Sequence, residues 1–441
     1  MEPLLVFAYS ALFIFLVHKS RFFRMPAIPL SWMQLAFLAK VLAGCVLGWL
    51  YFDYYQDEHT SDTIKFFNDS NILFNVLRKE PIHFLQMFTG IGGNDPALRP
   101  YYESMSTWLN TDVLFNDNKT IVRLNTLFRF FSLGHYYVHV VLMNMISFTG
   151  MFCLYKVLSR HAPSRSRLMF ILLFALPSLL FWGSGVLKDS LLLFALGTLV
   201  HSFDSLVRGE RRLSYKLIFC ASLFLLLFTK FYVILTVLPG LAAWIFTRHA
   251  SGWKTAKLFF VMYTGFIAVG FNLYRLDDKY DLSDLIYYKQ RNFFVQSDIM
   301  SPGSRIEIPT IAPSAMSILI NAPSAFARTL FRPGPMDFSG NILVRLAAVE
   351  NTIFLVALVL LLLFFGKRQA THFESIHFFC LSCVLIILTL IGLITPVLGA
   401  MVRYKVVVFP FLIFLVVSFI DPQRLGQRFR FLADTRDTVR S

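Results

Sequence analysis

LVHKSRFFRMPAIPLSWMQLAFLAKVLAGCVLGWLYFDYYQDEHTSDTIKFF, residues 16–67, holds in one stretch the features that decide how this chain folds. A basic segment with Lys19, Arg21 and Arg24 comes first, an apolar block near 32–52 follows, and the block ends in a carboxylate-rich exit. An apolar run of about 20 residues is long enough to cross the hydrocarbon core of a bilayer as a helix.

Such blocks recur along the chain, near 3–18, 32–52, 135–157, 168–183, 187–206, 215–231, 232–247, 257–274, 347–366, 376–395 and 404–420. Hydrophobic residues make up 56% of the 441 and only 15% are charged, against about a quarter in a soluble domain. The apolar residues come as blocks rather than alternating, and 49 Phe suit helices packed in lipid. The expected fold is all-α: one polytopic transmembrane helical bundle over residues 1–441, with about 11 spans.

The net charge of +15 belongs to the loops. Arg160, Arg165 and Arg167 occupy one loop, Arg208, Arg211 and Arg212 the next basic one, then Arg248, Lys254 and Lys257, then Lys367 and Arg368. The tail, 421–441, carries Arg424, Arg428, Arg430, Arg436 and Arg440. Every second loop is basic, which places those loops and the tail in the cytoplasm and the N-terminus outside. A bacterial inner-membrane protein is the implied setting, and the charge calls for no nucleic acid. The opening MEPLLVFAYSALFIFLVH lacks a basic leader and a small-residue cleavage site, so it reads as a retained span. Cys45, Cys153, Cys220, Cys380 and Cys383 all fall inside apolar blocks, where the C-x-x-C of 380–383 reads as packing.

Two long segments then fall on the periplasmic side, 53–134 and 275–346. The first holds ten acidic and seven basic residues and so lacks the cytoplasmic bias. Within it, 63–89 and 121–133 carry apolar positions at helical spacing, which predicts helices lying in the membrane interface or a small domain packed on itself. Between them GIGGNDPALRPYY, 90–102, is rich in turn residues.

Chemistry is sought where charges meet the ends of spans, because a charge near hydrocarbon is costly unless it lines a cavity or finds a partner. Asp53, Asp57, Glu58, His59 and Asp62 crowd the exit of the second block, among Tyr51, Phe52, Tyr54 and Tyr55. Carboxylates held there are suited to act as a general base or to ligate a divalent cation, and otherwise form a solvated loop beside an aromatic belt. FWGSGVLKDS, 181–190, breaks one helix and starts another at Lys188 and Asp189. Free N–H groups there favour a phosphate; a cap with a snorkelling lysine is the alternative. Lys230 interrupts an apolar stretch too long for one span and marks an outer hairpin. Arg403, Tyr404 and Lys405 in MVRYKVVVFPF, 401–411, run against the positive-inside trend, so an anion or ordinary headgroup binding is called for. No Walker loop, H-E-x-x-H or G-x-S-x-G appears in the sequence.

The acidic loop after an early span, HTSDTIKFF (59–67), PSLLFWGSGVLKDSLLLFALG (177–197) and VRYKVVVFPFL (402–412) together resemble the GT-C superfamily of integral-membrane glycosyltransferases. The extra leading span is a departure from many members. The resemblance implies a periplasmic active site that moves a sugar from a polyprenyl-phosphate carrier to a lipid-linked glycan, lipid A or protein. By that likeness Asp62 is the first choice of base, with Asp57 and Glu58 behind it. His59, Lys188, Asp189, Lys230, Arg403 and Tyr404 would line the substrate, the cations facing the leaving phosphate. No nucleotide is then needed, and a metal is left open. A polymerase or ligase of lipid-linked glycans would use the basic residues alone. A transporter or flippase would call for polar groups at mid-membrane.

Overall fold

The computed structural model describes residues 1–55, 61–108, 117–250, 252–337, 342–363 and 373–419. Among them the regular structure is helical, with two isolated bridges and no strand. Helices α1 (Glu2–Lys19) and α2 (Leu30–Trp49) open the chain. Next come α3 (Asp62–Lys79), α4 (Pro81–Thr89), α5 (Arg99–Glu103) and α6 (Asp117–Ser132), then α7 (Tyr136–His161). They are followed by α8 (Ser166–Ala175), α9 (Pro177–Trp182), α10 (Lys188–Val207), α11 (Leu213–Thr229) and α12 (Phe231–Thr247). The last part contains α13 (Trp253–Gly270), α14 (Leu282–Met300), α15 (Ala315–Phe331), α16 (Ile342–Leu363), α17 (Ser375–Ile394), α18 (Leu398–Lys405) and α19 (Phe409–Ser418).

Among the described residues seven helices are long and apolar enough to cross a membrane: α1, α2 with its extension to Tyr54, α7, α10, α13, α16 and α17. The pair α18–α19, bent by 62°, makes an eighth if it counts as one span. With that pair counted, three of the expected eleven blocks fall short of that length. Pro177 splits the block at 168–183, because it lacks an N–H and pushes Leu176 into an extended conformation (ψ 120°). The apolar stretch around Lys230 divides into α11 and α12, of 17 residues each, with Lys230 extended between them.

The chain forms two compact units, each described by itself. The first comprises 1–157, 179–206 and 210–231. Its long helices approach closely where side chains vanish: a Cβ on Gly197 of α10 would sit 1.9 Å from the Gly150 carbonyl oxygen of α7. Helices α3, α4 and α6 form a cap in this unit. Phe66, Leu73 and Val76 of α3 recur at helical spacing and meet Phe84 and Met87 of α4 and Ile121, Val122 and Phe128 of α6. Met143 of α7 joins the same core. The segment between α2 and α7 thus shares one core with α7. Ile82, Leu85, Phe130 and Phe131 nevertheless stay exposed on its outer faces. Residues 90–102 include a short turn of helix and α5 rather than turns alone.

The second unit comprises 158–178, 207–209 and 232–441. Its centre is α17, against which α13, α14, α15, α18 and α19 all pack. At Gly392 the backbones of α15 and α17 touch: a Cβ there would lie 2.1 Å from the Ala325 oxygen. Gln290 of α14 ties in the C-terminal end of α17, donating to the Leu393 carbonyl at 2.6 Å and accepting from the Ile311 N–H at 2.9 Å.

Candidate functional site

The site is built on the helix break Gly183-Ser184-Gly185, which lies buried in the first unit. A break inside apolar surroundings frees carbonyls that need donors. Lys40 of α2 supplies one, its Nζ reaching the Gly183 oxygen at 2.6 Å and Ser184 Oγ at 3.2 Å. Ser147 Oγ donates to the same Gly183 oxygen at 2.6 Å, and Asn144 Nδ2 to the Ser184 oxygen at 2.8 Å. Ser190 Oγ, on the third residue of α10, donates to the Gly185 oxygen at 2.8 Å. So held, the break delivers Lys188 and Asp189 at the start of α10.

Those two residues go to different partners. Asp189 is wholly buried and pairs with Lys230, 3.0 Å from Nζ to Oδ1, the lysine itself 7% exposed. Two charges removed from water in this way stay because each neutralises the other. Lys188 turns toward the cap, its Nζ 2.9 Å from Asp117 Oδ2 and 2.8 Å from Asn118 Oδ1 at the start of α6. The same Nζ stands 5.6 Å from the centroid of the Phe66 ring. Asp117 is 40% exposed and Lys188 15%, so this pair borders solvent while the other does not.

Phe66 lies four residues after Asp62, one turn along α3, so Asp62 and Phe66 share a face of that helix. Asp62 is the first residue of α3 and half-buried. Its neighbour Thr63 is fully buried, its hydroxyl 2.6 Å from the Tyr136 hydroxyl of α7. Farther along, Asp69 holds the approach to α6 by accepting the N–H groups of Ser106 and Thr107, at 2.8 and 2.9 Å. Arg129 of α6 answers from the other side, donating to Ser70 Oγ at 2.8 Å and to the Phe67 oxygen at 2.5 Å. Burial pushes the Arg129 guanidinium down to about 10.

Asp62, Lys188, Asp189 and Lys230 all belong to the first unit, and Asp53 is exposed at the end of α2, where the helix widens so that the Tyr55 N–H reaches the Leu50 oxygen. Asp57, Glu58 and His59 lie outside the described residues. Arg403 and Tyr404 are half-buried on α18 in the second unit, with the Tyr404 ring 6.1 Å from that of Phe293. Cys380 and Cys383 are buried free thiols in α17. Among the described residues no three His, Cys, Asp or Glu side chains converge as metal ligands. Lys40 escaped the sequence reading, although a single lysine inside an apolar block is its visible mark. Asp117, in the cap, had no such mark.

Comparison of the chain with protein-family models, curated protein sequences and solved structures finds no match in any of the three.

Proposed function

We propose that this chain is a membrane glycosyltransferase of GT-C type that moves a sugar from a polyprenyl-phosphate carrier to a lipid-linked glycan, lipid A or protein. The observation that supports it is the shared α3 face: Asp62 opens the helix, and one turn on Lys188 Nζ stands 5.6 Å from the Phe66 ring. A carboxylate and an ammonium are thereby each tied to α3, one as its first residue and the other against the ring one turn on. In this reading the acceptor hydroxyl gives its proton to Asp62, and its oxygen forms a bond to the anomeric carbon. The bond from that carbon to the phosphate oxygen breaks, and the electron pair leaves with the phosphate. Lys188 neutralises the departing charge by exchanging its border pair with Asp117 for the phosphate, since a part-exposed ion pair holds only weakly. Asp189 and Lys230 neutralise each other and hold the start of α10 in place.

In this reading the chain crosses the membrane eleven times, with α8–α9, α11 and α12 as short spans beside the seven long helices and the bent pair. The N-terminus and the cap lie on the periplasmic side of the bacterial inner membrane, and the basic loops inside. The exposed Ile82, Leu85, Phe130 and Phe131 would then rest against the membrane interface.

The deciding experiment supplies purified protein in nanodiscs with radiolabelled polyprenyl-phosphate sugars and an envelope extract as acceptor. Label should pass to an acceptor with the native chain and stay on the carrier with Asp62→Asn. Failure of the native chain with every carrier sugar would remove the proposal.

One observation favours a second reading, passage of a solute without chemistry: Lys40, His139, Asn144 and Ser147 are all fully buried among the spans of the first unit. Uptake of a labelled solute into proteoliposomes, with no covalent product, would mark that reading.

A further inference from the structure

The second unit gathers positive charge at the C-terminal end of α15. Arg328 and Arg332 stand one turn apart, joined by the last helical hydrogen bond, from the Arg332 N–H to the Arg328 oxygen at 3.0 Å. Lys405 of α18 is buried beside them and donates to the Arg332 oxygen and, at 3.4 Å, to Asn351 Oδ1. Two carboxylates, Glu350 and Asp337, accompany these three cations, so the cluster keeps one positive charge in excess. Glu350 Oε2 accepts the Ser178 N–H at 2.6 Å, and Asp337 Oδ2 accepts the Gly334 N–H at 2.9 Å. Arg332 forms a loose ion pair with Asp337, Nε to Oδ1 3.8 Å, and its side chain is 40% exposed, where such a pair holds only weakly.

Arg328 is poorly answered. Its Nη2 reaches the Gly392 oxygen only at 3.5 Å, and its buried Nε has no hydrogen-bond partner among the described residues. Thr395, one turn beyond Gly392 on the cap of α17, keeps a buried hydroxyl that is likewise unanswered among the described residues. Burial, and then the neighbouring Arg332 charge, hold the Arg328 guanidinium below its ordinary value. Like charges a turn apart repel, and an arginine fork with an idle Nε–H is shaped for two oxygens of one anion.

We propose that Arg328 and Arg332, with Lys405 beneath them, form a binding site for a phosphate group. Arg328 offers its fork and Arg332 reaches in from its more exposed position. The site does not depend on sugar transfer, because binding is read without turnover.

The test uses the full-length chain in a phosphate-free detergent and three probes: inorganic phosphate, a short-chain isoprenyl monophosphate and a short-chain phosphatidylglycerol. Tryptophan fluorescence reports binding. The native chain should bind at least one probe, and the probe bound tells a free anion from a carrier lipid or a headgroup. Arg332→Gln and Arg328→Gln should each weaken that binding about ten- to a hundredfold, the loss of a charge-assisted bond. Arg328→Lys, which keeps the charge and loses the fork, should weaken it also. If Arg328→Gln fails to fold, Arg332→Gln and Arg328→Lys decide. Absence of binding in all three arms, or native affinity in Arg332→Gln and Arg328→Lys, would overturn the site and leave Arg328 as a cap on α17.

Discussion

Lys40 Nζ donates to the main-chain oxygen of Gly183 at 2.6 Å, so a lysine of the second helix closes a gap in a chain 143 residues away. A fully buried lysine is expensive in apolar surroundings, and the broken helix is equally so without a donor. Each removes the penalty of the other. Lys40→Met should therefore lower thermal stability in detergent by about 1–3 kcal/mol, the cost of leaving buried acceptors short of a donor. A melting temperature at or above that of the native chain would show that Ser147 suffices alone.

The Asp189–Lys230 pair calls for a cycle of variants. Asp189→Leu or Lys230→Met alone strands a buried charge, at a cost of about 3–5 kcal/mol. The double variant removes both charges and should recover much of that loss. Strictly additive losses, measured by unfolding in detergent, would mean that the two charges do not stabilise one another.

At the solvent border the pair Lys188–Asp117 predicts opposite effects. Lys188→Gln should weaken binding of a polyprenyl-phosphate analogue about ten- to a hundredfold. Asp117→Asn, which removes the ion pair and leaves the ammonium on neutral oxygens such as Asn118 Oδ1, should leave binding unchanged or tighten it. Loss of affinity in both variants alike would make the pair a staple of the cap rather than part of a phosphate site.

Asp62→Asn keeps an oxygen at the helix start but cannot take a proton. Transfer should fall at least about a hundredfold while expression and melting temperature hold. Asp53→Asn, at an exposed position, should be milder. If Asp62→Asn turns over normally while Asp57→Asn or Glu58→Gln is inactive, the base is the earlier carboxylate of the sequence.

Orientation is open to direct labelling. Cysteines at positions 95 and 305, both exposed, should react with an impermeant thiol reagent in cells with a permeabilised outer membrane. A cysteine at 210 should react only after lysis, and its labelling in intact cells would reverse the orientation.

In the second unit a hydrogen bond from His161, at 2.8 Å, holds the Glu374 carboxyl below its ordinary value. A depressed carboxyl stabilises the fold above the ordinary glutamate range, and that contribution disappears as pH falls through the folded value. Melting temperature should thus drop less between pH 5 and pH 3 (about the glutamate range) in Glu374→Gln than in the native chain. Glu374 is 56% exposed, so the difference is small, and equal slopes would show that the bond contributes nothing.

Much of this architecture is written locally. Blocks of apolar residues mark the helices α1, α2, α7, α10, α13, α16 and α17, and helical spacing in 63–89 and 121–133 marks the cap. Pro81 and Pro177 set the starts of α4 and α9, and Gly183-Ser184-Gly185 ends the helix before Lys188, because backbone geometry at such residues depends on nearest neighbours. What only the tertiary structure decided is which charge meets which. Lys188 and Asp189 are adjacent in sequence, yet one turns to Asp117 in the cap and the other to Lys230 between α11 and α12. Lys40 reads as an isolated lysine until Gly183 is brought to it, and Arg328 reads as one basic residue of a loop until α15 lies on α17. A buried charge is stabilised or destabilised by groups within a few ångströms, and those groups come from segments that only folding brings together.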